Sequence, residues 1–90
     1  MNELTINQIV DMYQEELDRW DFFSDPQRAY VDETKHIVVC LRNYNWYITK
    51  YPIRNAEEAI KAIFEIDWIA EYDDSELSDF ISYSNIWVKM

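Results

Sequence analysis

Glycine is absent from this 90-residue chain, histidine and cysteine occur once each, proline twice, and Lys plus Arg number 8 against 18 acids. Without glycine, neither a dinucleotide-binding turn nor a Walker-type phosphate loop can form, because both bring a backbone without Cβ close to phosphate. Tight turns are left to Asn and Asp, which tolerate positive φ better than other residues. A lone cysteine, Cys40, excludes an intramolecular disulfide and suits a reducing compartment. Set among Val and Leu with no base beside it, Cys40 reads as a buried structural thiol rather than a nucleophile. His36, the only histidine, supports neither a zinc site nor a catalytic triad and reads as a strand-end surface residue. No metal and no cofactor is therefore expected. No apolar run approaches the roughly 20 residues that span a bilayer, and the opening Met-Asn-Glu-Leu-Thr lacks the basic start and apolar stretch of a signal peptide. The expectation is a soluble, cytoplasmic protein with no membrane contact.

What the chain does have is aromatic surface and negative charge. Four Trp, seven Tyr and four Phe make up 17% of the residues, and each buried ring removes about 150 to 250 Å² from water. A chain of this length forms one domain, residues 1–90, and buries only about 60 to 65% of its unfolded surface, so those rings are needed for the core. The net charge of −10 is unevenly spread. Residues 1–25 carry seven acids and one base, residues 26–61 six bases and four acids, and residues 62–90 seven acids and one base. Two acidic segments flank a mildly basic centre. Such a field repels nucleic acid and membrane phosphates but attracts basic protein surfaces, and it raises association rates by about 10 to 10³ fold at low salt.

Local patterns place the elements. Thr5-Ile-Asn-Gln8 has the form of a capping box. Apolar residues at Ile6, Ile9, Val10, Tyr13, Leu17 and Trp20 then follow one helical face, predicting a helix over about 5–22 that ends ahead of Pro26. Arg28–Val31 is a candidate first strand, with residues 32–35 as its turn. His36–Arg42 and Asn45–Tyr51 read as a hairpin around Arg42-Asn-Tyr-Asn45, with Asn supplying the special backbone angles. A loop of two or four residues puts Ile37, Val39, Leu41, Trp46 and Ile48 on one face. A three-residue loop pairs Leu41 with Tyr47 and mixes the faces, so the former register is preferred. Asn55 with Glu58 starts a second helix whose expected stripe is Ala59, Ile60, Ile63, Phe64 and Trp68, closed by Tyr72. Ser75 is the expected cap of a third helix holding Leu77, Phe80 and Ile81, and residues 86–89 are a candidate terminal strand. The order predicts an α+β fold: an N-terminal helix, an antiparallel sheet of two to three strands with that short C-terminal strand as an addition, and two C-terminal helices packed on the sheet.

No reaction chemistry stands out. Asp73-Asp-Ser-Glu76 lacks the length and glycine of an EF-hand loop, and nothing places two carboxylates across a cleft for glycoside chemistry. The dense stretch is Asp67–Phe80, which holds six carboxylates and no Lys or Arg. Apolar anchors at Trp68, Tyr72, Leu77 and Phe80 tie it to the fold. A solubilising surface and helix capping account for part of it, since negative charge at Asp74 and Glu76 suits a helix N-terminus. Like charges at i and i+4, as at Asp67 and Glu71, nevertheless cost a few tenths of a kcal/mol each, and nothing basic is close in sequence. Uncompensated repulsion points to a basic partner. Carboxylates about 5 to 6 Å apart on a helix can enter Arg and Lys sites built for phosphates. The candidate contact set is Asp67, Glu71, Asp73, Asp74, Glu76 and Asp79, with Asn43, Tyr44 and Asn45 at the hairpin tip. Glu15, Asp18 and Asp21 form a second patch.

From Val38 onward the chain resembles a phage-encoded anti-CRISPR family of small acidic DNA mimics that inhibit the type II RNA-guided nuclease at its PAM-reading site. The likeness lies in Val38-Val-Cys-Leu-Arg-Asn43 leading to Trp46-Tyr-Ile48, the helix before Phe64, and Trp68-x-x-Glu71-Tyr72-Asp73-Asp74-x-Glu76. It covers about half the chain. Asp73, Asp74 and Glu76 match the family's acidic helix-to-helix turn, while the hairpin tip differs, carrying Asn43, Tyr44, Asn45 and Trp46 where the family has Asn, Asp and Glu. The resemblance implies a non-enzymatic inhibitor in the cytoplasm of an infected or lysogenic bacterial host. Its partner would be a CRISPR effector nuclease, bound without direct nucleic-acid contact by a monomer or weak homodimer. Two rival readings stay open: an acidic antitoxin or immunity protein neutralising a basic toxin, and an oligomeric subunit using Tyr30, Tyr47, Tyr51 and Trp87 as its interface.

Overall fold

The first helix forms where the capping box predicts. In the computed structural model, which describes residues 4–19, 27–41, 44–72 and 74–90 with the side chains of Asp74 and Ser75 excepted, α1 spans Ile6–Arg19. The Thr5 hydroxyl accepts from the Gln8 amide at 3.1 Å and the Gln8 side chain accepts from the Thr5 amide at 2.8 Å, so two N-terminal donors are satisfied reciprocally. Ile9, Val10, Tyr13 and Leu17 are buried. The expected extension to residue 22, with Trp20, lies outside the described residues.

Gln14 couples α1 to the sheet. Its side-chain oxygen accepts from the Ala29 amide at 2.7 Å while its nitrogen donates to the Gln27 carbonyl at 3.2 Å. The bond from Ala29 occupies a backbone donor of the edge strand β1 (Arg28–Val31). The next turn is built on Asp32, whose carboxylate accepts from the Thr34 amide and hydroxyl and from the His36 amide at 2.7 to 2.9 Å. Desolvation works to raise the Asp32 pKa, but the bonds from Thr34 and His36 outweigh it and hold the group below its usual range. His36 is half-buried beside this turn, its Nδ1 2.8 Å from the Thr34 hydroxyl.

Strands β2 (Ile37–Leu41), β3 (Asn45–Thr49) and β4 (Trp87–Lys89) complete a four-stranded sheet in the order β1-β2-β3-β4, every pair antiparallel. The terminal strand is thus a full member of it. The hairpin register differs from the preferred one: the loop has three residues, and with that loop Leu41 pairs with Asn45 rather than with Tyr47, which lies opposite Val39. Ile37, Val39, Leu41 and Tyr47 consequently face the helices, and Trp46 and Ile48 face away with Val38 and Cys40. Tyr44 at φ 56° supplies the left-handed residue that a three-residue hairpin needs. Lys35 at φ 70° does the same in the preceding turn, so among the described residues positive φ falls on Lys and Tyr rather than on Asn or Asp. Both faces of β2 are buried; on the outer one, Tyr30 and Trp46 meet edge to face at 6.5 Å across Val38 and Cys40.

Asn55 caps α2 (Ala56–Ile69), accepting from the Glu58 amide at 2.9 Å. The buried stripe is Ala59, Ala62, Ile66 and Ile69. Of the expected stripe only Ala59 is buried and Ile63 half-buried, while Ile60, Phe64 and Trp68 are 53%, 75% and 47% exposed. The cause is Trp87, fully buried in the core, whose indole nitrogen donates to the Ala62 carbonyl at 2.9 Å. A ring of that volume requires small residues opposite, and alanines on α2 give it room. Helix α3 (Asp74–Tyr83) opens one residue ahead of Ser75, the expected cap. It packs through Leu77 and Ile81 into the same core. Ser84 then sets the entry to β4, accepting from the Ile86 and Trp87 amides at 3.0 and 2.8 Å. Tyr47 and Trp87 are core residues, which removes both from the oligomer interface considered above.

Candidate functional site

Aromatic packing joins the end of α2 to α3. Trp68, Tyr72 and Phe80 form a triangle of rings with centroids 4.7 to 5.3 Å apart, worth about 0.5 to 1.5 kcal/mol per pair beyond area burial. The triangle ties α2 to α3 and fixes the carboxylates carried on either side. Asp67 lies in the last turn of α2, Glu71 in the turn just past its Ala70 cap, and Glu76 and Asp79 on α3, all exposed. Asp74 is the first residue of α3; its side chain and the whole of Asp73 lie outside the described residues.

Glu15 and Asp18 are exposed on α1, and Asp21 lies outside the described residues. The two acidic patches meet across the seam between α1 and α2. Glu15 and Asp67 line one trough there, together with Glu16. Burial, then the negative charges of Glu16 and Glu71, raise the Asp67 carboxyl above its usual range. Arg19 lines the same trough, but the ion pairs among the described residues lie elsewhere, Arg54–Glu58 at 2.9 Å, Lys61–Glu57 at 3.7 Å and, when the imidazole is protonated, Asp32–His36 at 3.9 Å. None involves Asp67, Glu71 or Asp79.

The hairpin tip belongs to a different element. Tyr44 is 60% exposed and Asn45, half-buried, begins β3; Asn43 lies outside the described residues. Sequence reasoning missed two features of the seam. One is Glu16, whose position against α2 depends on how the helices pair. The other is Tyr13, foreseen as core and indeed 2% exposed, whose hydroxyl is buried without a hydrogen-bond partner among the described residues. Burial pushes this phenol up, and the charges of Asp67 and Glu16 push it further. Between the helices the trough measures about 550 Å³, and its apolar wall includes exposed Met12, Ile60 and Phe64.

Among the described residues no cluster of His, Cys, Asp or Glu is arranged to hold a metal, and no helix is long and apolar enough to cross a membrane. Fold and face together define an acidic α+β domain whose exposed carboxylates are backed by packed aromatic rings. Set against protein-family models, curated proteins and solved structures, the chain matches none of them.

Proposed function

We propose that this protein is an anti-CRISPR-type inhibitor that binds a DNA-binding nuclease by offering carboxylates where DNA phosphates would sit. The observation that carries the reading is Asp67, flanked by Glu16 and Glu71 and in no ion pair among the described residues. Like charges held together in the free protein are an energetic cost, and a surface of Lys and Arg relieves it. Arginine accepts carboxylate and phosphate in the same bidentate geometry, so a cleft built for DNA also fits this face. Trp68 is half-exposed beside it and supplies the apolar contact that charge alone lacks.

Inhibition on this reading is stoichiometric exclusion of DNA, with no chemistry by the inhibitor, in the cytoplasm of an infected or lysogenic bacterium. The resemblance in Val38–Glu76 directs the choice of a type II effector nuclease as partner. The test is capture of the guide-loaded nuclease by immobilised protein, with and without a DNA duplex carrying the recognition element. Capture that DNA abolishes and that Asp67→Asn with Glu71→Gln weakens supports the reading; capture indifferent to both refutes it.

A further inference from the structure

The seam between α1 and α2 also carries apolar surface, which phosphate imitation does not use. Met12, Ile60 and Phe64 are 57%, 53% and 75% exposed, and all three line the trough of about 550 Å³. Beside them lie Glu15, Glu16 and Asp67, with Arg19 as the one base among the described residues of the lining. Tyr13, 2% exposed, belongs to the same lining, and its hydroxyl is buried beneath it with no hydrogen-bond partner among the described residues. Two packed helices leave a groove into which a third helix fits, reading it with apolar residues at i, i+3, i+4 and i+7. The acidic rim selects the sign of that third helix.

We propose that this trough receives an amphipathic helix of a basic partner protein, its apolar side chains seated on Met12, Ile60 and Phe64 and one lysine or arginine donating to the Tyr13 hydroxyl near Asp67. A cation satisfies the site better than a neutral donor. It bonds the phenol oxygen, frees the phenol proton for a carboxylate, and offsets the charges of Glu16 and Asp67. Entry requires a rotamer change at the exposed lip residues, Phe64 above all, a common adjustment on binding. The inference rests on the reading of the partner as a basic protein, and it names the segment by which that partner docks.

The probe is a synthetic 18-residue peptide with Leu at helical spacing and Lys elsewhere, including one Lys within the Leu face. Its control has the same composition in scrambled order. Binding is followed by anisotropy of the labelled peptides at about 0.15 M salt, where surface charge is largely screened beyond about 8 Å. The ordered peptide is expected to bind at least about tenfold more tightly than the scrambled one, and Phe64→Ser and Tyr13→Phe are each expected to weaken it about tenfold. Tyr13→Phe is the discriminating variant, because the same change is expected to stabilise the free chain. Equal binding of the two peptides, or binding unaffected by either variant, overturns the proposal. So does sedimentation showing a dimer that Phe64→Ser dissociates, since the occupant is then a second copy. Nuclease capture separates this from the broader reading: loss with Asp67→Asn and Glu71→Gln but not with Phe64→Ser sinks the groove and leaves phosphate imitation standing. Peptide binding that depends on Phe64, with capture indifferent to DNA, keeps the groove and removes the imitation.

Discussion

Replacing Tyr13 by Phe should make the protein more stable, an unusual direction for a change at a core position. The hydroxyl oxygen is closed off from solvent and has no partner among the described residues. A desolvated polar group in that state costs about 1 to 3 kcal/mol. Phe keeps the ring and its contacts, so little apolar burial is lost, and the wall beside the site is a trough rather than close-packed core. A gain of about 1 kcal/mol is expected. For a domain of this size that corresponds to a rise in Tm of about 4 to 8 °C. Urea unfolding followed by tryptophan fluorescence measures it, and an unchanged m-value would confirm that the native state rather than its compactness changed. The pH dependence adds a second check. The folded pKa of this phenol is raised, so the folded state retains the proton more firmly than the unfolded chain. Wild-type stability should therefore fall as pH rises past the unfolded value of about 10, and the advantage of the variant should widen there. Destabilisation by about 1 kcal/mol or more at neutral pH would refute the reasoning, because it would mean that the hydroxyl is hydrogen-bonded, most directly to Asp67.

Other substitutions test separate parts of the account. Ile66→Ala removes a fully buried side chain and should cost about 2 to 5 kcal/mol, whereas Ile60→Ala on the exposed side of the same helix should cost under about 0.5 kcal/mol; comparing their urea midpoints checks which face of α2 is buried. Lys35→Gly relieves a left-handed residue at φ 70° and should stabilise by about 0.5 to 1 kcal/mol in the same assay. Asp67→Asn should stabilise by a few tenths of a kcal/mol at neutral pH. The raised folded pKa means that ionisation opposes folding as pH climbs through the carboxylate range, so the gain should vanish below about pH 3, where both states are protonated.

Elements specified by neighbours a few residues apart could be read directly. Thr5 with Gln8 and Asn55 with Glu58 fixed two helix starts, and the β-branched run of β2 fixed the central strand. The errors arose where distant residues decide. Whether Trp46 or Tyr47 faces the helices depends on a left-handed Tyr44, a conformation for which sequence favours glycine or asparagine. The rotation of α2 depends on Trp87, whose indole reaches the Ala62 carbonyl across 25 residues of chain. A stripe of large residues at Ile60, Phe64 and Trp68 has the right period for a core face, and only the need to accommodate Trp87 shows that alanines fill that role. The site divides similarly. The density of carboxylates in residues 67–80 was plain from sequence, and Asp67, Glu71, Glu76 and Asp79 are exposed as expected. Their junction with Glu15 and Glu16 was not, because it requires α1 and α2 to lie side by side.

The central claim is that the carboxylates of this face take the place of phosphates. Its most direct measurement is the equilibrium affinity of the protein for a guide-loaded type II nuclease, titrated against a short DNA duplex carrying the recognition element. Mutually exclusive binding is predicted, with affinity falling as salt increases and reduced by Asp67→Asn and Glu71→Gln together. Simultaneous binding of protein and DNA, with an affinity that neither salt nor those substitutions change, would contradict it.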